Sequence, residues 1–189
     1  MPEDSPPVVT DAAAEDGHDA SPDASPDASR AGPAWAMFIG LAVLVLVVDQ
    51  LAKAWIVSNI APGDLLSVIG TWVRLVYSVN NGALFGLFSS SATLFAIGSL
   101  IVLCLIVWYH ARTPRNVALS IALGLLLGGA TSNLIDRLRI GYVVDFIDIG
   151  IGNLRFFTFN IGDSAISLAI LMLLILAVTS DGHPVAQDA

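Results

Sequence analysis

The chain has 189 residues, of which 56% are hydrophobic and 13% are charged, whereas an ordinary soluble domain has about 25% charged residues. The net charge of −8 describes its N-terminal part, because eight of the sixteen acidic residues lie before residue 30. The composition excludes an ordinary soluble domain and indicates a membrane protein, and we expect no nucleic-acid partner.

Residues 1–33 are small, acidic and rich in proline, and the tetrapeptide Ser-Pro-Asp-Ala occurs twice between residues 21 and 28. Such a segment cannot bury enough apolar surface to offset the entropy lost on ordering, so we predict a disordered acidic tail. It lacks the basic start and adjoining apolar stretch of a signal peptide. We expect one membrane domain over residues 34–180 and a short tail over 181–189.

Four apolar segments follow, and each is close to the ~20 residues that a helix needs to cross a bilayer. They cover residues 34–57, 92–109, 117–135 and 161–178. Four crossings place both termini on one side of the membrane. Arg112 and Arg115, between the second and third segments, predict that this loop and both termini are cytoplasmic. The other side has more arginines, which we expect to neutralise carboxylates there.

Two links on that other side are predicted to be extended. From Trp72 to Val79 the side chains alternate as in a β-strand, and residues 140–158 form a second stretch punctuated by glycines. We therefore expect a small β-sheet on the membrane surface.

Charged residues inside the first segment form a pair. Asp49 and Lys53 are four residues apart and lie on one helix face, where opposite charges make each other tolerable in lipid. They are predicted to be a structural ion pair or to take part in chemistry. In the third segment, Gly124 and Gly128 have the spacing that lets two helices approach closely. The alternative is that they are small residues scattered in a leucine-rich helix without such a role.

The end of the third segment carries Asn133, Asp136 and Arg137 on one helix face. These polar groups either pair with one another at the end of the helix or form part of a functional site. Asn160, just before the fourth segment, is either the N-cap of that helix or a site residue. Asn80 either ends a strand or orients a substrate backbone.

Two further carboxylates are the strongest candidates for chemistry. Asp163 lies in the first turn of the fourth segment, and Asp145 lies among apolar residues of the second link. Two carboxylates in contact can share one proton, so one can act as a base and the other as an acid on an activated water. These residues predict an intramembrane aspartic peptidase. Asp148 is interpreted as a solvated loop charge.

Two other classes of protein compete with this interpretation. A proton-coupled transporter would distribute carboxylates through the bilayer and show an internal repeat, and neither is seen. A non-catalytic assembly factor would use the polar groups to hold helices together. The histidines, His18, His110 and His183, have no metal-ligand spacing, so we expect no metal site.

Five motifs in order carry a resemblance to a known family. They are Asp49-Gln-Leu-Ala-Lys53, Asn80-Asn-Gly-Ala-Leu-Phe85, Gly128-Gly-Ala-Thr-Ser-Asn-Leu-Ile-Asp-Arg137, Val143-Val-Asp145-Phe and Phe159-Asn160-Ile-Gly-Asp163-Ser. Over residues 35–178 the chain resembles the lipoprotein signal peptidases, or signal peptidase II, which are aspartic peptidases of the bacterial inner membrane. Ser132 stands where that family usually has glycine, a small-for-small change from which we expect little effect.

The resemblance implies a fold, a site and a substrate. The fold is a membrane all-α domain of four transmembrane helices with a small extracytoplasmic β-cradle. The catalytic residues are Asp145 and Asp163; substrate-binding or supporting residues are Asn133, Arg137, Asn160, Asn80, Asp49 and Lys53. The substrates are prolipoproteins with a diacylglyceryl-modified cysteine, cut just before that cysteine. Membrane lipid is the surrounding partner, the protein is expected to be a monomer, and no metal or organic cofactor is needed.

Overall fold

The computed structural model of the protein describes residues 34–81 and 92–180, with side chains over 34–81 and 97–179. These ranges contain helices α1 (Trp35–Asn59), α2 (Ala92–Arg112), α3 (Val117–Ile140) and α4 (Ile161–Ser180). They also contain strands β1 (Leu65–Ile69), β2 (Val73–Asn80), β3 (Val143–Ile151) and β4 (Leu154–Arg155). The predicted tails and most of the second motif, including Gly82 and Phe85, lie outside the described residues.

Each helix begins within one residue of a predicted apolar segment. Over the described ranges, three helices are long and apolar enough to cross a membrane: Trp35–Asn59, Val117–Ile140 and Ile161–Thr179. The part of α2 with described side chains, Ile97–Arg112, is a shorter apolar helix. Helix α3 continues past the apolar segment, which was predicted to end at residue 135, and includes the predicted polar face of Asn133, Asp136 and Arg137 before it ends at Ile140.

The outward faces of the helices are apolar. Large side chains such as Leu51, which is 66% exposed, and Leu174 cover α1 and α4 on the outside. A helix that is apolar on its outer face as well as its inner face requires apolar surroundings. This surface therefore fits a bilayer and does not fit water.

Helix α3 packs against the other three helices, and its glycines make the approach close. A Cβ on Gly124 would lie 2.8 Å from the carbonyl oxygen of Phe38, and one on Gly128 would lie 2.5 Å from that of Ala42. These distances are too short for a side chain, so the predicted close contact between helices is confirmed. Gly129 similarly touches the carbonyl of Gly162, which sets the start of α4 directly against α3.

The end of α3 leads directly into the sheet. Gly141 ends the helix with φ +82°, a left-handed conformation that favours glycine, and its N–H donates to the carbonyl of Arg137 over 3.1 Å. Strand β3 begins two residues later, so the last polar turn of α3 and the start of β3 must lie close together.

The predicted extended links form one antiparallel sheet in the order β1-β2-β3-β4. Ser78 of β2 pairs with Asp145 of β3, and Asn80 pairs with Val143. A buried cluster of Ile56, Ile60 and Phe146 fastens β3 to the end of α1. The predicted small sheet is therefore confirmed, and it covers one end of the helices.

Candidate active site

Asp163 is held by the start of α4. Its Oδ2 accepts the backbone N–H of Asn160 over 3.2 Å, while Oδ1 of Asn160 accepts the backbone N–H of Asp163 over 2.8 Å. This reciprocal arrangement is a capping box, with Asn160 as the N-cap. The other oxygen of Asp163 accepts the side-chain amide of Asn133 over 2.7 Å. Both carboxylate oxygens therefore have a fixed orientation.

Asp145 is presented by β3 and is only 2% exposed. Its Oδ2 accepts the side-chain amide of Asn80 over 2.9 Å, and its Oδ1 accepts that of Asn160 over 2.7 Å. Burial raises the pKa of Asp145 to about 6; the hydrogen bond from Asn80 opposes this rise, and the negative charge of Asp163 adds to it. Asp145 is therefore a carboxyl group that changes protonation near neutral pH.

Asn160 joins the two carboxylates. It donates its side-chain amide to Asp145 and its backbone N–H to Asp163. The same side-chain amide also donates to Oδ1 of Asn133 over 3.1 Å. Asn160 is therefore the N-cap of α4 and also contacts both acids, and its role as a site residue stays a prediction.

Arg137 supplies positive charge at the same place. Its guanidinium donates to the backbone carbonyl of Asn133 over 3.3 Å, and its charge acts on Asp163, Asp145 and Asp136. A cation beside two carboxylates favours at least one of them in the ionised form.

A second ionic group lies beneath this pair. Lys53, the only lysine of the chain, is 3% exposed and donates to Asp49 over 2.7 Å and to Asp136 over 2.8 Å. Its third hydrogen bond, of 2.9 Å, goes to Oδ1 of Asn133. We call Lys53, Asp49 and Asp136 the Lys53 cluster. The predicted ion pair of Asp49 and Lys53 is confirmed, with Asp136 as an additional member.

The Lys53 cluster also holds the backbone on both sides of the site. Asp49 Oδ1 accepts the N–H of Gly162 over 2.9 Å, and Gly162 is the residue before Asp163. Asp136 Oδ2 accepts the N–H of Val144, the residue before the other acid, over 3.2 Å. One ammonium group therefore orients two carboxylates, and each of these fixes the peptide unit that precedes one member of the pair.

Gln50 and Ser132 belong to this network, and the sequence reasoning missed them. Ser132 Oγ donates to Asp49 over 2.5 Å, and Gln50 Nε2 donates to Ser132 Oγ over 2.9 Å and to Asp136 over 2.7 Å. The serine hydroxyl thus makes contacts that a glycine could not make. The position of Ser132 next to Asn133, in the motif with the most polar residues, was the sequence feature that could have identified it.

The interpretation of Asp148 as a solvated charge is wrong. It is 6% exposed and makes salt bridges of 2.8 Å with Arg74 and 2.9 Å with Arg155. Burial alone would raise the pKa of Asp148, but hydrogen bonds and charges from the two arginines lower it below its usual value. The three residues fasten β2, β3 and β4 together, and the one carboxylate offsets one of the two positive charges of these arginines.

The polar residues gather at one end of the described helices. His110 lies at the other end, stacked on Phe38 with ring centroids 4.1 Å apart and bonded to Ser120 over 3.1 Å. Over residues 34–81 and 92–180, no group of three or more His, Cys, Asp or Glu side chains is placed to hold a metal ion. The chemistry available at the clustered end is that of two carboxyl groups held by amides.

Comparison with known proteins identifies a family from the amino-acid sequence. A family model described as Signal peptidase (SPase) II matches residues 41–179. The "Lipoprotein signal peptidase" of Moorella thermoacetica is 42% identical over 137 residues, which cover 72% of this chain and 89% of that protein. The protein of the same name from Staphylococcus carnosus is 38% identical over 140 residues, covering 74% and 87%.

Two solved structures of bacterial membrane enzymes are also similar to this chain. One has a TM-score of 0.77 and 31% identity, covering 84% of this chain and 98% of its own. The other has a TM-score of 0.73 and 33% identity, covering 78% and 96%.

Proposed function

The chain belongs to the signal peptidase II family, and from this we propose that it is a peptidase that removes signal peptides from prolipoproteins, with Asp145 and Asp163 as its catalytic pair. One observation carries the assignment of the pair: the single residue Asn160 hydrogen bonds to both carboxylates. Its side-chain amide donates to Asp145 and its backbone N–H donates to Asp163, which supports a pair close enough to interact, and the negative charge of Asp163 raises the pKa of Asp145. They come from β3 and from the start of α4, so only the folded chain brings them together.

The proposed reaction needs one ionised and one protonated carboxyl group. The ionised group takes a proton from a water molecule, whose oxygen adds to the carbonyl carbon of the scissile amide. The protonated group donates a hydrogen bond to the carbonyl oxygen and stabilises the tetrahedral intermediate. The C–N bond then breaks, and a proton passes to the leaving amine of the cysteine. Because the pair titrates as a unit, either aspartate can take either role.

The other predicted site residues support this pair. Asn133 and Asn160 hold the carboxylates through their amides, and Asn80 holds Asp145 from the neighbouring strand. Arg137 puts a positive charge near both carboxylates, and we expect it to support the pair or to orient the substrate. Asp49 and Lys53 act one step further away, through the backbone.

The proposed setting is the bacterial inner membrane. All four helices cross it, with residues 34–180 as the peptidase domain, both termini in the cytoplasm and the sheet as an extracytoplasmic cradle. Arg112 and Arg115 then lie on the cytoplasmic side, as the positive-inside rule requires. On the other side, Arg74 and Arg155 both pair with Asp148, which offsets one of their two positive charges. We propose a monomer that receives diacylglyceryl-modified substrates from the surrounding lipid.

The function is tested by incubating the detergent-solubilised protein with a diacylglyceryl-modified precursor peptide. Mass spectrometry of the products should show a new N-terminus at the modified cysteine. The same peptide without the lipid is the matched control and should be cut more slowly. No cleavage of either peptide by folded protein would contradict the proposal.

The hydrogen bond from Asn80 gives a prediction about pH. That bond lowers the pKa of Asp145, so Asn80→Ala should raise it further, by about one unit. Because the two aspartates titrate as a pair, at least one limb of the pH–rate profile of that pair should therefore move to higher pH. Ser78→Ala, on the same strand, is the control and should leave both limbs in place. Movement to lower pH in the Asn80 variant would contradict the assigned contact.

A further inference from the structure

A cavity is lined in part by Lys53 and Asp136 of the Lys53 cluster. It has a volume of about 330 Å³ and is bounded by the last turns of α1 and α3 and by β2 and β3. Its walls include Lys53 and Asp136, but neither Asp145 nor Asp163. The cavity is therefore separate from the proposed site of peptide cleavage.

An unpaired cation stands in this cavity. Arg139 is exposed, and no hydrogen-bond or ion-pair partner for its guanidinium is found in the part of the chain that the structure describes. The charged side chains of the cavity are Lys53, Asp136 and Arg139, which sum to a net charge of +1. The ammonium of Lys53 is engaged by two carboxylates, Asp136 in the cavity wall and the buried Asp49, so the positive charge open to a ligand is that of Arg139.

Neutral hydrogen-bond donors lie in the same cavity. The hydroxyls of Tyr77 and Tyr142 are 3.1 Å apart, and both residues are part of its wall. The hydrogen bond between them, together with burial, raises the pKa of Tyr77, so this hydroxyl stays protonated at neutral pH. Two paired hydroxyls have two protons; one joins the pair, and the other is free to donate to a ligand.

The remaining wall is apolar and lies on the outside of the helices. Ala54 and Val57 on α1 and Ile140 on α3 contribute to it, and all three are exposed. In a membrane this position is the boundary between headgroups and acyl chains, because it lies at the ends of two helices that are apolar over their length.

We propose that this cavity binds the headgroup of an anionic glycerophospholipid, with the phosphate on Arg139 and the tyrosine hydroxyls and an acyl chain along Val57 and Ile140. A guanidinium is well suited to phosphate because it can donate two parallel hydrogen bonds. A diacylglyceryl group of a substrate carries no charge and would leave this guanidinium without a partner. The inference requires only that the protein lies in a membrane, so it stands independently of the catalytic assignment.

The test uses the full chain in detergent micelles that contain phosphatidylglycerol or phosphatidylcholine, with bound lipid counted by native mass spectrometry. The wild-type protein should retain phosphatidylglycerol about five- to tenfold better than phosphatidylcholine. Arg139→Gln should abolish this preference. Arg115→Gln, which removes an exposed arginine from the loop between α2 and α3, is the matched control and should keep it.

Two further measurements separate the alternatives. Thermal unfolding of Arg139→Gln should match that of the wild type, because the side chain is exposed and unpaired. Glycerol 3-phosphate, which has the phosphate but no acyl chain, should not displace the bound lipid at equal concentration. Equal retention of both lipids by the wild type, unchanged preference in Arg139→Gln, or displacement by glycerol 3-phosphate would overturn the proposal.

Discussion

Asp145→Asn and Asp163→Asn should each reduce cleavage of a lipid-modified precursor by about 10⁴-fold or more, while the protein still accumulates folded in the membrane. An asparagine keeps the size of the side chain but cannot take a proton from water or give one to a carbonyl oxygen. Each substitution therefore removes one half of the proposed acid–base pair. Turnover is measured by mass spectrometry of the product, and folding by tryptophan fluorescence of the purified variant.

Asp148→Asn is the matched control for this experiment. It makes the same chemical change on the same strand, three residues beyond Asp145, but its partners are Arg74 and Arg155. We expect it to weaken the sheet and to leave the rate per folded molecule nearly unchanged. Cleavage by Asp163→Asn at a rate close to that of the wild type would show that this carboxylate is not catalytic.

Lys53→Met should destabilise the fold by about 3–5 kcal/mol, because it leaves Asp49 and Asp136 buried without their shared cation. The peptide units before Asp145 and Asp163 are then held less firmly. We therefore expect kcat to fall even in molecules that remain folded.

Stability is measured as the free energy of unfolding in mixed micelles with increasing SDS. Arg115→Met removes one positive charge from an exposed loop and should change this free energy by about 0.5 kcal/mol or less. If Lys53→Met and Arg115→Met unfold at the same SDS fraction, the Lys53 cluster does not stabilise the protein.

The local patterns of the chain predicted its elements well. Continuous apolar runs located the helices, and alternation from Trp72 to Val79 located the strand β2. The i, i+4 spacing of Asp49 and Lys53 predicted their ion pair because both residues lie on one helix. The apolar run of α3 ended at residue 135, and the polar face of Asn133, Asp136 and Arg137 predicted that the helix continues to residue 137; it ends three residues later, at Ile140.

Contacts between elements could not be predicted in the same way. Nothing in the spacing of Asp136 shows that it accepts the N–H of Val144, since that contact depends on the turn at Gly141. Asp148 was taken as solvated because its partner Arg74 lies 74 residues away on another strand. The catalytic pair itself was predicted because two carboxylates were expected at the edge of the membrane, and the family resemblance then pointed to the same two residues.

The burial of Lys53 also makes acylation of its amine a selective probe of local opening in the protein. It is the only side-chain amine in the molecule, and all three of its protons are engaged in hydrogen bonds. A succinimidyl ester can react with it only after these bonds break and the amine loses its proton. The rate at which Lys53 becomes labelled would therefore report how often the Lys53 cluster opens while the protein is in an intact membrane.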